Sequence, residues 1–291
     1  MGGKPMKPGL GKGLACLLVI LGLLLPPGGV KPALAGEGQT ATAVAASIFG
    51  VIGTTAIAYG MWRNRPSQQD KPKEPGLFPG EFYVGGYLGA SLVQSTDLKF
   101  NNLFPEGGGR VTARNQKFNN PAVVGGLKWG YFLKRIPYLG FELETNFAAN
   151  RVKQQQVRLS RPVQGFTQAT LRNDDWVTWT SALHIVGRYG FLPDQEVPFG
   201  RLQPYVGIGP GFVVIYDEVD AAKNFAIDVM AGLRYMMLKN VSAFVEYKFS
   251  HQWDVELDSH ELVTPAGAVQ RGTATFNYDS HRIVVGVAYH F

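Results

Sequence analysis

The stretch that most constrains this chain is Thr275–Phe291. Phe291, Tyr289, Val287, Val285 and Ile283 fall on one face of it. His290, Ala288, Gly286 and Arg282 fall on the other, with Val284 the single apolar exception. Alternation with period two is the side-chain pattern of a strand, because successive Cβ atoms point to opposite sides. One greasy face and one mixed face therefore predict an amphipathic strand. Any fold for the chain has to provide a setting for both of its faces.

Similar segments recur from Glu81 onward, at 82–93, 122–133, 138–149, 176–191, 204–216, 224–237 and 241 to about 250. With the terminal stretch they number eight, each long enough for the ~9–11 residues that a tilted membrane strand needs. One face is apolar throughout, with Val123, Leu127, Phe141, Trp179, Ile185, Ile208, Val214, Val229, Val245 and Tyr247 among its members and no charge between them. The other face gathers Lys128, Glu142, Glu144, His184, Arg188, Asp228, Arg234, Glu246, Lys248 and Arg282. A soluble sandwich would turn its apolar face in and its charges out. The pattern predicts an all-β chain, an eight-stranded antiparallel up-and-down transmembrane β-barrel whose charges point inward. The interior of such a barrel is just wide enough for side chains to fill. Unpaired charges there cost several kcal/mol each, so these ten residues are expected to form a salt-bridged network that plugs the lumen. The alternative reading is the wet, charged face of an ordinary sheet. Long connections are expected at 94–121, 150–175 and about 251–274, and short turns at 134–137 and 238–240, as in barrels with long outer loops.

The N-terminus reads differently. Lys4, Lys7 and Lys12 precede the apolar run Leu14–Leu25, Pro26 and Pro27 end it, and Ala33-Leu34-Ala35 offers a small-residue cleavage pattern. That order is a signal peptide over residues 1–35. The run is shorter than the ~20 residues of a membrane anchor. Those residues also hold the only cysteine, Cys16, and four lysines with no acid. The remainder carries 24 basic residues against 22 acidic, so the net charge of +6 is largely N-terminal and does not point to nucleic acid. Within 36–62, the stretch 41–62 has no charge and is rich in Ala, Gly and Thr. It reads as a short apolar helical segment lying against the barrel or a membrane. An inner-membrane span and a low-complexity linker are the other readings. Residues 63–80 are a polar, Pro-broken tether. The barrel is assigned to 81–291.

Phe82-Tyr-Val-Gly-Gly-Tyr-Leu-Gly-Ala, Gly125-Gly-Leu-Lys-Trp-Gly-Tyr, Val245-Glu-Tyr-Lys-Phe-Ser and the ending Val284-Val-Gly-Val-Ala-Tyr-His-Phe carry a family resemblance. Residues 81–291 resemble the small eight-stranded outer-membrane barrels of the OmpA/OmpX type. The resemblance implies location in the outer membrane of a Gram-negative bacterium. It also implies delivery by periplasmic chaperones and insertion by the barrel-assembly machinery, with Ile283, Val285, Val287, Tyr289 and Phe291 as the assembly signal. It is specific for architecture and says little about activity. With nothing after Phe291, the chain departs from the two-domain OmpA layout and its peptidoglycan-binding domain.

Catalytic signals are weak. Some barrels of this size deacylate lipid A and carry His-x-Ser-Asn on a late strand. The similar place here is Phe249-Ser-His-Gln-Trp-Asp, with Trp253 and Asp254 where Ser and Asn would stand. Ser250 and His251 are adjacent on a strand and point apart. His251, Asp254, Asp258, His260 and Glu261 lack the spacing of metal ligands. No cofactor or metal is expected. Arg110 and Arg114 in 94–121, and Arg158 and Arg161 in 150–175, would face lipopolysaccharide phosphates at the outer rim. The surface ligand is left open. The reading is a non-enzymatic outer-membrane barrel with a structural or surface-interaction role. The alternatives are a lipid A-modifying, deacylase-like enzyme or a small channel.

Overall fold

The computed structural model describes residues 80–101, 110–118, 121–216 and 221–291, all within the unit Leu34–Phe291. It holds twelve strands: β1 (Gly80–Val93), β2 (Thr96–Asn101), β3 (Val111–Gln116), β4 (Ala122–Leu133), β5 (Leu139–Val152), β6 (Gln155–Val163), β7 (Phe166–Leu171), β8 (Asp174–Arg188), β9 (Leu202–Tyr216), β10 (Ala221–Leu238), β11 (Val241–Val263) and β12 (Val269–His290). Every pairing is antiparallel, as in the register Val84↔Tyr289 between β1 and β12. Tight turns make this possible. At the β6–β7 hairpin Gln164 and Gly165 both have positive φ, 52° and 84°, the mirror-image turn that matches strand twist.

Tracing the edges gives a closed circuit in the order β1-β12-β2-β3-β6-β7-β11-β10-β9-β8-β5-β4, and β11 and β12 also pair directly across it. The expected eight-stranded up-and-down barrel is thereby overturned. Twelve strands take part, and their order in the circuit is not their order in the chain. The stretches 94–121 and 150–175, expected as loops, supply β2, β3, β6 and β7. The stretch 251–274 is mostly the far ends of β11 and β12, joined at 264–268. The physical reason is a second apolar interior. Leu98, Phe100, Val111, Val157, Leu171, Val255, Leu257 and Phe276 all point into one buried cluster with Trp176 and Tyr278. Polar residues face out between them.

The circuit thus encloses two kinds of filling. Toward the end that bears Gly80 and His290 it is charged, and beyond that it is apolar. The outside bears a belt of exposed apolar side chains, including Leu88, Ile185, Ile208, Phe225, Val245 and Val285. Leu127, Trp179 and Val214, expected in that belt, are buried instead. Trp179 donates its indole N–H to Thr145 Oγ1 at 2.9 Å and packs edge-on against Phe212. The signal peptide expected at 1–35, the apolar segment at 36–62 and the tether at 63–80 lie outside the described residues, apart from Gly80, which opens β1. Among the described residues no helix is long and apolar enough to cross a membrane, which says nothing of strands.

Candidate functional site

The charged interior is built by the alternation of β4, β5, β8, β10, β11 and β12. Lys128, Glu142, Glu144, His184, Arg188, Asp228, Arg234, Glu246, Lys248 and Arg282 are all buried. Lys128 Nζ lies 3.2 Å from Glu142 and also contacts Glu246. Lys248 Nζ lies 3.0 Å from Glu246 and also contacts Glu144. Asp228 takes His184 Nε2 at 2.9 Å and Arg282 Nη2 at 2.8 Å on its two oxygens. Arg282 Nη1 continues to Asn146 Oδ1 at 3.1 Å. Arg234 sits over the rings of Tyr83 and Tyr205, at 4.2 and 5.2 Å. Such a stack suits a desolvated guanidinium. Leaving His184 aside, Lys128, Lys248, Arg234 and Arg282 balance Glu142, Glu144, Asp228 and Glu246. The network is neutral without any added ion.

Three tyrosines complete it, and the sequence reading missed them. Tyr83 donates its hydroxyl to Glu142, Tyr87 to Glu144 and Tyr205 to Glu246. Each ring lies across a glycine of the neighbouring strand: Tyr83 opposite Gly130, Tyr87 opposite Gly126 and Tyr205 opposite Gly232. In two cases the acceptor is the next residue of the same row, since Gly130 pairs with Glu142 and Gly232 with Glu246. A Cβ at Gly130 would stand 2.0 Å from the Tyr83 ring, and one at Gly232 2.5 Å from the Tyr205 ring. The glycines are therefore the gaps that let a ring span a strand. The repeated Gly and Tyr of β1 and β4 carried this signal, but an amphipathic tyrosine fits either face of a strand, so alternation alone did not reveal it.

The near mouth is closed by a second group. Arg188 holds both oxygens of Glu81, at 2.9 and 2.5 Å, and donates Nε to Pro137 O at 3.0 Å. Its guanidinium stacks on Phe132 at 3.5 Å. His290 Nδ1 lies 2.7 Å from Glu81, and its Nε2 2.8 Å from Ser242 Oγ. Outside this mouth Asp194 caps the turn before β9. It accepts the N–H of Val197 at 2.7 Å and of Glu196 at 2.9 Å, and contacts Arg201. The Val197 N–H, followed by Arg201, holds the Asp194 carboxyl below its usual range.

Glu142, Glu144 and His184 each offer a donor atom within 4.8 Å of the others, close enough for a metal ion. Each carboxylate is already held by an ammonium and a phenol, and His184 Nε2 by Asp228. A divalent cation would have to enter between two lysines, so the cluster is read as part of the ion network. His251 does not meet Ser250, which is buried and inward-facing. It contacts Asp279 on the outer face, with Trp253 edge-on at 4.5 Å.

On the terminal strand Ile283, Val285, Val287 and Phe291 are exposed. Tyr289 lies on the same face, opposite Val84 and Val241, and is covered there by the Phe291 ring at 5.0 Å and by Asn240, whose Nδ2 donates to its hydroxyl at 2.7 Å. Arg110, Arg114, Arg158 and Arg161 are exposed, but Arg114 lies on β3 and Arg158 and Arg161 on β6, on strands where loops were expected.

Comparison with known proteins bears on the family. No curated protein matches the chain in sequence. Among solved structures, neisserial surface protein A (NspA) is similar over 72% of this chain and 97% of its own, at 12% identity and a TM-score of 0.41. OprG from Pseudomonas aeruginosa is similar over 73% and 96%, at 15% identity and a TM-score of 0.44. Likenesses this remote carry no functional argument. Residues 68–291 match the model of the outer membrane protein beta-barrel domain. The match is to that family, and not to the OmpA/OmpX type within it. With most of its length inside the match, the chain belongs to the outer-membrane β-barrel domain family and is a protein of the Gram-negative outer membrane.

Proposed function

We propose that this is a non-enzymatic outer-membrane protein with a sealed interior and a structural or surface-interaction role. The observation that carries this reading is the neutral, buried ion network under an apolar outer filling. Such an interior leaves no wet path for solute, and its carboxylates and histidine are held by one another instead of facing a substrate. Export on a signal peptide ending near Ala35 and insertion read from Ile283, Val285, Val287, Tyr289 and Phe291 belong to the same reading. On the outside, Arg110, Arg114, Arg158 and Arg161 contact lipopolysaccharide. Planar-bilayer recording of the refolded protein tests the sealed interior. No steady conductance is expected, and steady single-channel steps would favour the small-channel alternative and overturn this reading.

A lipid A-modifying activity is the second reading, favoured by the contact between His251 and Asp279 on the outer face. Trp253 stands where the deacylase pattern would place its serine. Release of acyl chains from lipopolysaccharide by the purified protein, abolished by His251→Ala, would establish it in place of the first.

A further inference from the structure

β3 and β6 pair with Ala113 opposite Leu159 and Arg114 opposite Arg158. Ala113 and Leu159 are buried in the apolar filling, so the two arginines share the outer face, and both are exposed. Directly opposed residues hold their Cβ atoms about 5 Å apart, and like charges there repel. Among the described residues neither arginine side chain has an ion pair or hydrogen bond. Asp97, opposite Arg114 and Asn115 on the adjoining β2, accepts the N–H of Asn115 on one oxygen at 2.8 Å and makes no ion pair with Arg114. Lys99 and Arg110 lie on that face too, and hydroxyls accompany them, with Ser160 Oγ accepting the Thr112 N–H at 3.0 Å. A cross-strand arginine pair that no acid ion-pairs is a cost to the fold until an anion bridges it.

Height decides which anion. On β12 the outward residues run Val287, Val285 and Ile283 and then turn polar at His281. Thr112 shares a row with Lys99 and Thr275. Arg114 lies two residues back from that row toward the apolar belt. It therefore stands about four residues beyond His281 along the strand direction, about 13 Å of strand at ~3.3 Å per residue. Exposed Trp253 and Phe225 lie on the outer face toward the same end of the belt. That is where the headgroup of a lipid in the same leaflet begins. Two forked guanidiniums can each donate a pair of hydrogen bonds to one phosphate.

We propose that Arg114 and Arg158 clamp a phosphate of the outer-leaflet glycolipid. The clamp rests on the surface-interaction reading above. The test is binding of purified bisphosphorylated lipid A to the full mature protein refolded in detergent. R114Q/R158Q should weaken binding by about tenfold or more, because charge-assisted contacts are lost. R271Q, which removes an exposed arginine held by Glu261 at 2.7 Å, should change it by less than about twofold. Dephosphorylated lipid A should bind the native protein no better than bisphosphorylated lipid A binds the double variant. Equal binding by R114Q/R158Q, an equal loss in R271Q, or undiminished binding of dephosphorylated lipid A would overturn the clamp. So would a double variant that loses dextran sulfate but keeps lipid A, since the occupant would then be a soluble polyanion. Both arginines are outside the interior, so a negative result leaves the sealed lumen standing. A conducting protein would sink the sealed lumen without touching the clamp.

Discussion

Glu246 is the residue on which the interior network turns, since it touches both Lys128 and Lys248 and receives the Tyr205 hydroxyl. Removing its charge leaves two buried ammoniums competing for Glu142 and Glu144. Breaking a buried pair in this way costs about 3–5 kcal/mol. Glu246→Gln is expected to lose that much in urea unfolding from lipid vesicles, and a loss under 1 kcal/mol would mean the charges are hydrated. Gly232→Val acts on the same contact from the other side, because its side chain would occupy the place of the Tyr205 ring. A destabilisation of about 1–3 kcal/mol is expected from that overpacking, by the same unfolding assay. Nine of the ten ionisable residues expected there were legible because charges on one face of an alternating strand declare themselves, and the tenth, Arg188, pairs with Glu81 at the mouth instead. Tyr83, Tyr87 and Tyr205 were not legible, since a phenol is at home in lipid, in a headgroup region or against a carboxylate.

At the scale of elements, the long strands could be read and the short ones could not. β4, β5 and β8 to β12 alternate greasy and polar over many residues. β2, β3, β6 and β7 have only two or three inward apolar residues each, set among Arg, Lys, Gln and Thr, which is also the composition of a loop. Their apolar side chains become meaningful only beside those of β11 and β12. Phe100 on β2 and Trp176 on β8 are fully buried in that shared filling. Phe100→Ala should cost about 3–5 kcal/mol of stability in the same unfolding assay. If β2 were a solvated loop, the change would be negligible. The turn before β9 gives a pH test. Asp194 has a depressed folded value, so its contribution is complete above the unfolded carboxylate value of ~3.9 and is lost as pH falls through the folded value. Melting of the native protein should therefore fall more steeply than that of Asp194→Asn as pH drops below ~3.9. Parallel curves would remove Asp194 from the account of the turn.

For the whole molecule, the two fillings divide one task. The ion network and the Arg188–Glu81 pair close the near end, and the apolar cluster closes the far end. An exposed apolar belt on the outside and charges on the inside were legible from the first strand read. The far-end closure was not, because it depends on partners distant in sequence, such as Leu171 with Leu262 and Phe118 with Val152. The central claim is that this interior is shut to water-borne solutes along its length. Single cysteines tested with a small charged methanethiosulfonate reagent measure that directly, in a chain carrying Cys16→Ser and reconstituted in vesicles. A cysteine at Ser250, buried at the junction of the two fillings, should stay unlabelled over a period in which one at exposed Arg161 reacts to completion. Labelling of the Ser250→Cys protein at the rate of the Arg161→Cys protein would contradict the account.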